Sequence, residues 1–140
     1  MQERRLEDLS IGQTAERRRV VGEADIDAFA AVSGDTNPVH LDATYAAQTR
    51  FGGRIAHGML AASWLSAMLG TELPGPGAVY VSQTLRFRRP VRIGDDVVAR
   101  VTVAAIDPER GRVTLETICQ VDGKSVVEGE AIVMVERRSA

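Results

Sequence analysis

The chain has a single cysteine, Cys119, so no internal disulfide can staple it. Cys119 falls in an alternating strand pattern and is expected to be a small core residue. There are only two histidines, His40 and His57. With one cysteine, these are too few to make a convincing zinc site, and no metal is expected. The sequence contains no nucleophile elbow, no Cys–His pair and no His-Glu-x-x-His pattern. Gly52-Gly53 lacks the spacing of a dinucleotide loop and reads as a hinge. No apolar run reaches the roughly 20 residues needed to cross a bilayer. No charged-then-apolar leader opens Met1–Ser10. A soluble, cytoplasmic protein is therefore expected. A net charge of −2 carries no bias toward nucleic acid. Repeats and low-complexity segments are also missing, and 140 residues make one domain, 1–140.

What is present centres on His57–Gly70, which has no charged residue from Gly58 onward. Its apolar residues, Met59 to Leu69, fall on every side of a helix. A helix apolar all round is expected to be buried all round. The rest of the chain supplies a wrapper. Thr14–Val21 reads as a strand that is polar on both faces through Glu16, Arg17, Arg18 and Arg19, which suits an exposed edge. Glu23–Val32 reads as a helix with Ile26, Phe29, Ala30 and Val32 on its apolar side, stopped at Gly34. Asn37-Pro38 signals a helix entry, and a short helix follows Asp42. In Met1–Gln13, Leu6, Leu9 and Ile11 are candidate anchors. After the breaker stretch Glu72–Gly77 the period becomes two. Strands are expected through Val79–Phe87, Val97–Ile106, Val113–Val121 and Val127–Val135. Asp122-Gly123 forms the hairpin between the last two. Gly129 and Ala131 are small on the face of the last strand, as though to make room for a helix. Together these elements predict an α+β architecture, an antiparallel sheet curled round one buried helix: the hot-dog fold. A sheet of this kind leaves an edge, so a homodimer is expected.

Few residues can do chemistry. Asp35 and His40 share a loop held by Gly34, Asn37 and Pro38, and an acid beside an imidazole can hold a water and move its protons. The spacing also permits a plainer reading, in which Asp35 caps the turn and His40 is an exposed loop residue. Gly58 opens the apolar helix, where free backbone N–H groups could stabilise a developing oxyanion, unless it merely lets the chain turn tightly. His57 reads as a hydrogen-bonded packing residue. Ser66 could bond back to a carbonyl one turn earlier or face a substrate cavity. Arg86, Arg88, Arg89 and Arg92 cluster about Pro90. They are either solvated or available to a phosphate-rich ligand such as coenzyme A.

The run Phe29-Ala30-Ala31-Val32-Ser33-Gly34-Asp35-Thr36-Asn37-Pro38-Val39-His40, closing with Ala46, resembles the hydratase-2 motif of the MaoC-like family. His57-Gly58-Met59-Leu60 resembles the start of that family's central helix. The order of elements agrees from about Leu6 to Glu136. The resemblance implies a dimeric (R)-specific enoyl-CoA hydratase, often feeding polyhydroxyalkanoate synthesis. Asp35 and His40 would be its catalytic pair, Gly58 the donor to the thioester oxygen and Ser66 a support near the site. Arg86 and Arg88 remain possible contacts to the phosphates of coenzyme A. The substrate carries the coenzyme A, and no separate cofactor is implied. An acyl carrier protein could replace coenzyme A. Within the same fold the alternatives are a thioesterase, a 3-hydroxyacyl-carrier-protein dehydratase and a non-catalytic acyl-CoA-binding module.

Overall fold

A computed structural model describes residues 1–138. After a single 3₁₀ turn at Leu6–Asp8, the chain forms β1 (Thr14–Val20), α1 (Glu23–Ser33), α2 (Pro38–Leu41), α3 (Ala43–Ala47) and α4 (Gly58–Thr71). The strands β2 (Val79–Gln83), β3 (Arg86–Phe87), β4 (Asp96–Asp107), β5 (Arg112–Val121) and β6 (Lys124–Met134) follow. All six strands join one antiparallel sheet in the order β1-β4-β5-β6-β2, with β3 also on β6.

Local chemistry sets the element ends. Asp25 accepts the Gly22 N–H at 2.9 Å to open α1, and this bond, with Arg19 beside it, holds the Asp25 carboxyl below its usual range. Gly34 closes α1 with φ at 78°, a conformation that costs glycine little. Asn37 and Asp42 cap α2 and α3 by accepting the N–H groups of Val39 and Tyr45. The hairpin from β5 to β6 turns through Asp122 and Gly123, both at positive φ, as a two-residue primed turn requires.

The inward rows of the sheet are Val97, Ala99, Val101 and Val103 on β4, Val113, Leu115 and Cys119 on β5, and Val127, Ala131 and Val133 on β6, all buried. They receive Leu60, Ala61, Leu65, Met68 and Leu69 of α4. This is the expected hot-dog arrangement. Cys119 is the small core residue its pattern foretells, with its thiol reaching the Ala61 carbonyl. Leu6 and Leu9 are anchors, whereas Ile11 is exposed. No helix among the described residues is long and apolar enough to cross a membrane.

Four further expectations need correction. Helix α4 is not buried all round: the sheet covers one side, and Met59, Ser63, Ser66 and Ala67 lie exposed on the other. Val32 belongs to the outer side of α1 and is 83% exposed, since a helix packed on one face cannot bury every apolar position. The strand expected through Val79–Phe87 is broken into β2 and β3, laid in succession along β6. Gly129 explains the break, and its smallness does not serve a helix. A Cβ there would collide with the Thr84 carbonyl, so Gly129 admits the backbone that joins β2 to β3.

Candidate active site

The loop between α1 and α2 carries the first site residues. Asp35 follows the left-handed Gly34 directly, and its Oδ1 accepts the Asn37 N–H at 3.2 Å. Its main-chain N–H donates to the Ser33 hydroxyl at 3.1 Å. The carboxylate remains exposed. His40 sits in the single turn of α2 and is only 8% exposed, so it is not the free loop residue of the plainer reading. Its Nδ1 donates to the Ile55 carbonyl at 2.8 Å. A carbonyl can only accept, so in the neutral ring Nδ1 carries the proton and Nε2 is left bare. Arg54, whose side chain is largely buried, donates from Nε to the His40 carbonyl at 2.6 Å. The same guanidinium pairs with Glu23 at 2.9 Å and Asp27 at 3.3 Å, tying α2 back to α1.

His57 lies beneath this loop. Its ring stacks on His40 with centroids 3.9 Å apart and leans against Phe29 at 4.9 Å. Its Nε2 donates to the Asp35 main-chain carbonyl at 2.9 Å. One ligand-type atom from each of Asp35, His40 and His57 lies within 4.8 Å of the others. This cluster has the residue types of a metal site. However, the two imidazole planes are only 29° apart and stacked, so their in-plane lone pairs run side by side instead of converging on one ion. The arrangement suits holding a polar molecule and moving protons.

These side chains open on a cleft of about 690 Å³ that also reaches Gly58. Gly58 is the first residue of α4, so its N–H belongs to the turn without intrahelical acceptors and lies at the positive end of a 14-residue helix. A Cβ on Gly58 would come within 2.8 Å of the Phe87 ring. The glycine thus lets the ring close over the helix end. Phe29, Phe51, Met59 and Phe87 give the cleft apolar walls, and Arg50, Arg88 and Arg89 supply positive charge.

The structure brings Asp35, His40 and Gly58 to one cleft, with His57 beside them, but it does not bring every candidate there. Ser66 is two turns along α4 on its exposed side, next to the Tyr80 hydroxyl, and does not line the cleft. Arg86 is a correction: alternation along β3 points Phe87 into the cleft and puts Arg86 in a separate groove with Arg100, Glu116 and Glu130. Arg88 does line the cleft, although Glu128 holds its guanidinium at 2.7 Å and is itself kept more acidic by that pairing. Arg50 and Arg54 carried no signal in the sequence. They lie in irregular loop, where period gives no facing and only tertiary contacts assign a neighbour.

Comparison with known proteins follows the same lines. The family described as the MaoC like domain matches residues 8–129. An (R)-specific enoyl-CoA hydratase of Rhodospirillum rubrum is 55% identical over 132 residues, covering 94% of this chain and 92% of that protein. A 3-hydroxybutyryl-CoA dehydratase of Methylorubrum extorquens is 51% identical over 132 residues, covering 94% of this chain and 84% of that one. Among solved structures, an R-hydratase of Pseudomonas aeruginosa in its unliganded form matches with a TM-score of 0.91 at 49% identity, over 96% of this chain and 86% of that chain.

Proposed function

The chain belongs to the MaoC-like dehydratase family, and from that premise we propose that it adds water reversibly to trans-2-enoyl-CoA, giving (R)-3-hydroxyacyl-CoA. One observation carries the assignment of residues: Asp35, His40 and the N-terminal end of α4 at Gly58 share one cleft.

In this reading a water sits between the Asp35 carboxylate and the bare Nε2 of His40. As its oxygen bonds to C3, the pair takes one of its protons and returns a proton to C2. The π electrons of the double bond pass toward C2 and the thioester oxygen. The Gly58 N–H meets the negative charge that develops on that oxygen, with the dipole of α4 behind it. Asp35 and His40 act as a coupled unit, so acid and base belong to the pair. Water adds with no net electron transfer, so the reaction balances without a redox partner, and the coenzyme A arrives with the substrate. Arg50, Arg88 and Arg89 line the cleft and would receive its phosphates. The acyl group would lie against the apolar walls.

We also propose that the chain works as a homodimer. Strand β2 is at the end of the sheet, and Val79, Tyr80 and Val81 on it are all exposed. The uncovered side of α4, with Met59, presents further apolar surface. A second copy would cover both.

The test is hydration of crotonyl-CoA, followed by loss of the enoyl absorbance with a thiol reagent present. Absorbance should fall with no thiol released; released thiol would mean a thioesterase. Asp35→Asn and His40→Gln should each lower the rate by about 10²- to 10⁴-fold, the usual contribution of a positioned acid or base, with the protein still folded. Full activity in either variant removes that residue from the mechanism.

A further inference from the structure

We propose that His57 is a positioning residue, a fixed ring that sets the Asp35 carboxylate and the His40 Nε2 at their working separation; this rests on the hydratase reading. His57 is 3% exposed. Its Nε2 bonds the Asp35 carbonyl at 2.9 Å, and its face carries His40 at 3.9 Å between centroids. One imidazole thus holds the main chain of one site residue and the ring of the other.

In their neutral forms the two rings are opposite tautomers, because each bonds a main-chain carbonyl, which can only accept. His40 bears its proton on Nδ1, bonded to Ile55, and His57 bears its proton on Nε2, bonded to Asp35. The His57 Nδ1 is then a bare nitrogen, and it is buried with no protein partner among the described residues. An unpaired buried polar atom is unfavourable. A phenyl ring would stack on His40 and lean on Phe29 just as well without that penalty. The imidazole differs from such a filler in its bond to Asp35.

That bond completes the fixing of Asp35. The Asp35 N–H is held by Ser33 and its carboxylate by the Asn37 N–H. The carbonyl, held by His57, is the remaining polar group of the residue. Because His57 also opens α4 as the residue before Gly58, the same side chain relates the pair to the helix end proposed to receive the thioester oxygen.

The experiment compares native protein, His57→Phe and His57→Gln on crotonyl-CoA. Phenylalanine keeps the stack and loses the donor, and glutamine restores a donor at the same number of bonds from Cα. In His57→Phe, kcat should fall about tenfold or more, as small misplacements of reacting groups do, with KM within about threefold. His57→Gln should recover most of kcat. A filler role predicts an unchanged or higher melting temperature for His57→Phe with unchanged kcat, and that result overturns the proposal. Histidine-labelled ¹⁵N spectra of the native protein are a second readout that needs no variant to fold. One ring should be bare at Nδ1 and the other at Nε2, and the same tautomer on both rings overturns the proposal. No hydration by the native protein would remove the hydratase reading itself, whereas native hydration with an unchanged kcat in His57→Phe removes only the role given to His57.

Discussion

Gly58 stands where a side chain would have to displace an aromatic ring. With Phe87 2.8 Å from the position of its missing Cβ, Gly58→Ala must push Phe87 outward or tilt the start of α4. Either shift moves the amide proposed to meet the thioester oxygen. The variant should fold and lose about tenfold or more in kcat/KM, measured on crotonyl-CoA. Cys119 shows the opposite case, a residue whose chemistry is suppressed. Burial pushes its thiol from an ordinary 9.0 up to about 12. Below pH 9 the thiol is neutral in both the folded and the unfolded chain, and its contribution to stability is fully present. As pH rises from 9 toward 12, the unfolded chain ionises and the folded one does not, so stability is lost, by on the order of 4 kcal/mol in full. Urea denaturation at pH 8 and pH 10.5 should show the advantage of the native protein over Cys119→Ala shrinking at the higher pH. At pH 8 the folded thiol should stay unreactive to alkylating agents.

At the scale of elements, two glycines that look alike in the sequence differ in consequence. Gly129 of β6 faces the Thr84 carbonyl, and a methyl group there has nowhere to go without separating β6 from the β2–β3 connection. Gly129→Ala should cost about 1–3 kcal/mol or more, as overpacking does. Gly70 lies near the end of α4 with nothing within 4 Å of its missing Cβ. Gly70→Ala should stabilise by up to about 1 kcal/mol, because alanine gives up less backbone freedom in a helix. Both follow from urea melts. The loop from Gly34 to His40 belongs to this scale as well. Its cap, Asn37, acts locally, while its placement depends on Arg54, which joins the His40 carbonyl to Glu23 and Asp27 of α1.

Seen as a whole molecule, the chain has unequal edges. Strand β1 is guarded by Arg17, Arg18 and Arg19, which pair with Glu72, Asp96 and Asp25. Charge of this kind discourages pairing by a stray strand. Strand β2 has no such guard, and Val79 and Val81 are 58% and 47% exposed. The proposed homodimer covers this edge. Sedimentation should find a dimer for the native chain and a shift toward monomer for Val81→Lys, which places a charge in the contact. A native chain that sediments as a monomer at micromolar concentration would remove the dimer.

Much of this protein was determined by local pattern. Period two marked β4, β5 and β6, Asp122-Gly123 set their hairpin, and Gly34 and Asn37-Pro38 bounded the loop bearing Asp35 and His40. Each is a property of neighbouring residues, so it is readable without knowing what lies across the fold. Contacts between distant segments were decided only by the tertiary structure. These include the stacking of His57 under His40, the closing of Phe87 over Gly58, the turning of Arg86 away from the cleft and the open side of α4. The reason is physical: a helix reports how apolar its faces are, but one sheet covers only one of them, and a ring nitrogen acquires its proton position from a carbonyl 15 or 22 residues away in the chain.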